Sequence, residues 1–296
     1  MSAGSRRAAT AGLALPLLLL SGCLFSTRKL PVPRYPAVTQ DATAAELVSR
    51  INDRWSQFQS LNATVEIQAS VTNTKKGVAT DITAIHGHIL MRKPEMVRVL
   101  GQVPVLGTRA FDMASDGKTF TLLIPPKAAA YKGPSTLTRK SSKGLENMRP
   151  GLFFDAMAVR GLEPDEEYTR AADTDTVEDA SKKHLLIIPE YILSVMEAQP
   201  GSHELRLTRV IHFHREDLLP YQQDLYDEQN NLETQVFYGR YVDFGDHKYP
   251  STVTIKRPLE EYQVVLTIEK VTVNMPLSDD QFQIKIPEGT KIQTVE

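Results

Sequence analysis

The chain of 296 residues carries a single cysteine, Cys23. One thiol excludes an internal disulfide and any zinc site built on two or more thiolates. Nor is there an excess of charge of either sign: 34 Lys and Arg stand against 36 Asp and Glu, a formal net charge of −2. That balance argues against nucleic acid as a partner, because a phosphate backbone selects a basic face. After residue 22 no apolar run approaches the roughly 20 residues that a membrane-crossing helix needs. A Walker loop, a dinucleotide fingerprint, a Gly-x-Ser-x-Gly elbow and His-Glu-x-x-His are all missing. No cofactor and no enzymatic activity are therefore expected. What is there, 41% hydrophobic and 24% charged residues, is the composition of a globular chain able to bury a core.

The N-terminus has a different character. Its first 22 residues hold no acid and two bases, Arg6 and Arg7, followed by an apolar run from Ala8 to Leu20. That run is too short to span a bilayer but has the length of a secretory h-region. It ends in Leu20-Ser21-Gly22-Cys23, which resembles the bacterial lipobox. The resemblance implies that residues 1–22 are removed, that lipid is attached to the Cys23 thiol and that an acyl chain such as palmitate is added to the new amine. An ordinary signal peptide or a buried free Cys is the alternative. Leu24, not Asp, follows, so the same resemblance implies a lipid-anchored protein on the outer membrane, facing the periplasm. Two or three acyl chains anchor stably where one binds only marginally, at about 0.8 kcal/mol per buried CH2.

Residues 23–40, with Pro31, Pro33 and Pro36 among Arg28, Lys29 and Arg34, read as a polyproline-like tether. Thr43-Ala-Ala-Glu46 is a capping box. Leu47, Ile51, Trp55 and Phe58 form one apolar stripe, which predicts a helix from Ala44 to Ser60. The period then drops to two. Ala63, Val65, Ile67, Ala69 and Val71 alternate with polar residues, predicting a long strand with one wet face. Further strands are expected near 79–92, 95–101, 108–115, 118–125 and 129–132, with Asp116-Gly117 as a tight turn. Residues 133–150 read as a polar loop, Leu152 to Val159 as a short amphipathic helix, and the acidic stretch 163–182 as a solvated loop. Strands return near 184–198, 203–214, 221–228, 232–242, 250–257, 261–274 and 282–286. The expected fold is mainly β with some α: a strongly curved antiparallel sheet or half-open barrel of about eleven strands. A few helices cover it, in one domain over 41–296 with insertions near 133–150 and 163–182.

Two His-x-His pairs, His86/His88 and His212/His214, each share a strand face and are candidate metal ligands. Their apolar neighbours take the opposite face, so solvated histidines are the simpler expectation, and no metal site is assigned. Arg209 falls in register with Leu205, Leu207, Ile211 and Phe213 on the presumed inner face. A buried Arg needs a partner. It would pair with an acid or a helix carbonyl, meet a lipid headgroup, or be turned outward by a bulge.

The order of these pieces carries a resemblance. Trp55 and Phe58 precede Ser60-Leu61-Asn62-Ala63. Arg92-Lys93-Pro94 leads into Met96-Val97-Arg98-Val99, and Asp116-Gly117-Lys118 precedes Phe120-Thr121-Leu122. Later come Tyr249-Pro250, Ile268 to Asn274, Leu277 to Phe282 and Pro287-Glu288-Gly289. Over about residues 44–290 this grammar resembles the LolA/LolB-like superfamily of lipoprotein-localisation factors. The resemblance implies an incomplete barrel whose helix-lidded cavity holds acyl chains. Candidate lining residues are Trp55, Phe58, Val65, Ile67, Ala69, Leu205, Leu207, Ile211 and Phe213, with Arg209 as a headgroup contact. It also implies that the apolar tip Pro104-Val105-Leu106 is a membrane-inserting loop; the alternative folds Val105 and Leu106 back onto the core. The expected partners are membrane lipid through acylated Cys23, an acyl-chain or lipoprotein ligand and a periplasmic carrier protein. The expected role is lipid or lipoprotein transport or insertion at the outer membrane. The alternative is a structural or adaptor envelope lipoprotein without a lipid ligand.

Overall fold

A computed structural model describes residues 32–36, 38–73, 76–135, 149–178 and 184–295. The expected signal sequence, Cys23 and most of the 133–150 loop lie outside the described residues. In chain order the elements are β1 (Val32–Arg34), α1 (Ala44–Gln57), β2 (Ser60–Asn73), β3 (Val78–Asp81), β4 (Ile85–Arg92), β5 (Met96–Gln102), β6 (Arg109–Ser115), β7 (Thr119–Ile124) and β8 (Ala129–Pro134). Then follow α2 (Gly151–Met157), β9 (Glu166–Glu178), β10 (His184–Ala198), β11 (Leu205–His214), β12 (Pro220–Tyr226), β13 (Leu232–Tyr238), β14 (Tyr241–Phe244), β15 (His247–Pro250), β16 (Thr252–Arg257), β17 (Tyr262–Val273) and β18 (Lys291–Thr294). No described helix is long and apolar enough to cross a membrane.

The described residues divide into two compact units, those within 32–35 and 176–187 and those within 36–175 and 188–295. In the first, Val32–Arg34 of the proline-containing segment is an extended strand. It pairs in parallel with His184–Leu186, and Arg34 Nη2 lies 3.1 Å from His184 Nε2.

In the second unit the sheet orders β10-β11-β12-β13-β16-β17-β2-β4-β5-β6-β7-β8-β18, with β3 beside β2 and β9 beside β10. It is a large curved sheet that does not close. With β1 it has sixteen strands among the described residues, not about eleven. Part of the difference is β9. Its backbone pairs with β10, and every residue after Glu166 is exposed, so the acids stay in water while the main chain completes a ladder. A strand needs only main-chain partners, and acidity does not exclude it. A separate hairpin, β14–β15, stands off the sheet.

The expected strand at 282–286 is absent. Residues 275–285 instead cross the outer face as a strap with a single 3-10 turn at Asp279–Phe282. Arg92 donates to Leu277 O and covers the Phe282 ring at 5.4 Å, while Arg98 donates to Gln281 O at 2.8 Å. Arg98 also grips the fully buried Asp112 through both carboxylate oxygens, at 2.9 and 2.7 Å. These side-chain bonds replace the ladder that a strand would have used.

Two apolar clusters fill the inner face. Leu47 and Ile51 of α1, whose capping box forms as expected, pack on Tyr191, Leu193, Val195, Ile211 and Phe213. In the larger cluster α2 presses Phe153, Phe154, Ala156 and Met157 onto the inner residues of β2, β4, β5, β13, β16 and β17.

Candidate functional site

The concavity is largely occupied by α2, and the room left over is a cleft of about 300 Å3 at one end of the sheet. Its walls come from the end of α1 (Arg54, Trp55, Gln57), from Phe58 and Leu61, from Met157 to Val159 and from Pro220. Tyr238, Tyr241, the β15 segment Asp246 to Pro250, and Val273 with Asn274 complete them. The size is at the low end for small-molecule sites.

Each wall is held by specific bonds. The α1 helix ends at Gln57, three residues before the expected Ser60, because Phe58 is extended and β2 begins at Ser60. The C-terminal carbonyls this leaves need donors. Asn274 Nδ2 donates to Gln57 O at 2.8 Å, and Lys93 Nζ donates to Trp55 O. The same ammonium lies 4.0 Å over the Trp55 ring, and burial lowers the Lys93 pKa. Trp55 also stacks on Phe58 at 5.8 Å and meets the edge of Phe154 at 6.2 Å. Gly161 permits this placement, since a Cβ there would stand 2.7 Å from Trp55 Cδ1.

Three tyrosines face the cleft, and spacing alone did not single them out. Tyr241 donates to Pro220 O at 2.9 Å and lies near the Arg54 guanidinium. Tyr249 donates to Met157 O at 2.5 Å. The Tyr238 hydroxyl is buried and has no hydrogen-bond partner among the described residues. Burial raises the pKa of all three, so their hydroxyls stay neutral. Of the three, the sequence marks only Tyr249, through the Tyr249-Pro250 pair that contributes to the resemblance.

Of the candidate lining residues, Trp55 and Phe58 line the cleft. Val65 and Ile67 sit in the closed core and Ala69 packs against it, while Ile211 and Phe213 belong to the cluster under α1. Leu205 and Leu207 depart from the expected face. Val195 pairs with Arg209 but Met196 pairs with Leu207, so Thr208 is an extra residue in β11. A one-residue bulge reverses the alternation. It leaves Arg209, Ile211 and Phe213 inward with Val195 and puts Leu207 and Leu205 on the other face, where Leu205 is exposed.

The bulge beside Arg209 therefore does not turn it outward. Arg209 donates to Arg160 O at 2.7 Å, to Gly161 O at 2.9 Å and to Glu166 at 3.1 Å. It is absent from the cleft wall; it fixes the Gly161 segment on which Trp55 rests. The histidines lie on the outer face. His212 Nδ1 is 2.9 Å from Glu190, which also accepts from Tyr221, and His214 stacks on Tyr221 at 4.0 Å. Among the described residues no group of three or more His, Cys, Asp or Glu side chains is placed to hold a metal.

The loop after β5 projects into solvent. Val105 is fully exposed, and Leu106 is 73% exposed. The loop is closed by its own backbone: Leu106 N donates to Pro104 O at 2.7 Å and Gly107 N to Val103 O at 3.0 Å. The first bond makes Val105 the centre of a γ-turn, at φ +67°. A β-branched residue with positive φ is strained. Gln102 pairs with His86, which pairs with Glu66. The loop thus leaves the sheet five β2 residues from Leu61 of the cleft, about 17 Å along the strand.

No protein-family model matches the sequence, and no curated protein matches it. Solved structures do. A LolA superfamily protein from Nitrosomonas europaea superposes with a TM-score of 0.50 at 12% identity, covering 82% of this chain and 99% of its own. A DUF1329 family protein from Desulfovibrio piger gives 0.49 at 16% identity, covering 81% and 95%. An outer membrane lipoprotein-sorting protein domain from Vibrio parahaemolyticus gives 0.45 at 11%, covering 81% and 94%. The chain has a LolA/LolB-like fold.

Proposed function

We propose that the protein is a non-enzymatic lipoprotein, anchored through Cys23 to the outer membrane and facing the periplasm, that binds acyl chains and takes part in lipid or lipoprotein transport. The observation that carries this reading is the cleft, an apolar space walled by Trp55, Phe58, Leu61 and Val273 in a sheet of the LolA/LolB-like fold. Chain burial would supply the affinity, at about 0.8 kcal/mol per CH2. The exposed Val105-Leu106 tip supports a second contact, with the bilayer. Residues 23–40 would be the tether.

The test is native mass spectrometry of the Cys23→Ser chain. Co-purified lipid, or uptake of added fatty acid, is the expected result; neither would sink the transport reading. The filled core under α2 favours a second reading, an adaptor without lipid ligand. Crosslinked pull-down from membranes would then return a stable protein partner.

A further inference from the structure

We infer that the cleft holds one single-chain amphiphile with an anionic head, its chain against Trp55 and Phe58 and its head at Arg54 and Lys248. This deepens the reading above and rests on it. Size comes first. A space of about 300 Å3 lies at the low end for a ligand site and gives the room of a single chain. That is one medium chain or the end of a longer one, not the two or three chains of a lipoprotein.

Charge comes second. The walls are apolar and aromatic, but the rim carries Arg54, His247 and Lys248 against one acid, Asp246. In a chain whose acids outnumber its bases, this rim has the opposite balance. The Arg54 guanidinium lies near the neutral Tyr241 hydroxyl, which offers it no charge. Neither Arg54 nor Lys248 forms a salt bridge with a carboxylate among the described residues, although other arginines, such as Arg98, Arg160, Arg209 and Arg257, do. Two cations left over at the mouth of an apolar cleft are complementary to a carboxylate or phosphate on a chain. A neutral or cationic head would leave them unmatched.

The single tryptophan of the chain lies in the cleft wall, so its fluorescence reports occupancy without a label. The Cys23→Ser chain is titrated with laurate, dodecyl phosphate and dodecanol at low ionic strength. Laurate and dodecyl phosphate are expected to bind about tenfold more tightly than dodecanol, the gain two exposed cations can supply. The preference should shrink in high salt. Arg54→Gln with Lys248→Gln should bring both anions to the dodecanol level and leave dodecanol unchanged. Lys248→Gln alone, which keeps the Tyr241 contact, should remove about threefold. A preference for dodecyl phosphate alone would identify the head as a phosphate, and one for laurate alone as a carboxylate. Equal binding of all three overturns the head assignment and leaves acyl-chain binding standing. No binding of any of them overturns both.

Discussion

The same substitution, Tyr→Phe, should have opposite effects at two positions of the cleft. Tyr249 donates to the Met157 carbonyl at the end of α2, where no intrahelical donor is available. Removing its hydroxyl loses that bond and leaves the carbonyl unpaired, a cost of about 1–2 kcal/mol. The Tyr238 hydroxyl is buried and has no hydrogen-bond partner among the described residues. Its desolvation is already a cost of about 1–3 kcal/mol, and Tyr238→Phe removes it. Against that stands a void the size of one oxygen, a few tenths of a kcal/mol. The net expectation is a gain of about 1 kcal/mol at 238 and a loss of about 1.5 kcal/mol at 249. For a domain of this size each kcal/mol moves Tm by about 2 °C. Urea unfolding of the Cys23→Ser background, followed by Trp55 emission, resolves the difference through the midpoint at constant slope. A destabilisation of 1 kcal/mol or more by Tyr238→Phe would refute the reasoning, because it would mean that the hydroxyl has a partner, such as an ordered water or a resident ligand.

Three further outcomes follow from the geometry. Val105→Gly relieves a positive φ in a β-branched residue and should stabilise the chain by about 1 kcal/mol after the extra chain entropy of glycine, while lowering vesicle binding measured by flotation; lost stability would contradict the strained turn. Arg209→Met should cost about 3–5 kcal/mol in urea unfolding, because it strands Glu166 and two carbonyls in a buried site, and a cost under 1 kcal/mol would contradict it. Desolvation holds His214 below its ordinary 6.5, outweighing Asp217, Glu216 and Glu190. The folded chain therefore binds fewer protons than the unfolded one, and the stability from this group, complete above pH 6.5, is lost as the pH falls below it. His214→Phe should flatten that acid limb of the stability–pH curve; an unchanged slope would remove His214 as its source.

Local signals reported the fold wherever one element decided its own structure. Thr43 and Glu46 set the start of α1, and the alternation of Ala63, Val65 and Ile67 set the face of β2. The signals failed where a neighbour decided. Nothing in Leu205-Arg206-Leu207-Thr208 marks Thr208 as the extra residue, since a bulge is defined by the register of the partner strand. The acids of β9 hide a strand because its pairing lies in the backbone of β10. The cleft was legible only at Trp55 and Phe58. Tyr238, Tyr241 and Tyr249 converge through the turn between β13 and β14 and the β14–β15 hairpin, and such convergence has no sequence period.

The filled concavity bears most directly on what this fold can carry. A ligand buried whole and deeper than the cleft would have to displace α2, whose Phe153, Phe154 and Met157 are almost completely buried. At about 1.5–3 kcal/mol for each such side chain, exposing them costs on the order of 7 kcal/mol before any hydrogen bond is counted. A ligand must supply that difference itself, because it shifts an equilibrium only by its differential affinity. About nine buried methylenes would be needed merely to break even. A chain that fits the existing cleft incurs none of this cost. The apolar loop adds nothing to the balance, since it lies about 17 Å along the strand from the cleft wall and shares no lining residue with it. The proposed bilayer contact and the proposed chain binding are therefore separable: Val105→Gly should weaken the first and leave laurate binding unchanged, and coupled losses would show that the two ends act as one site.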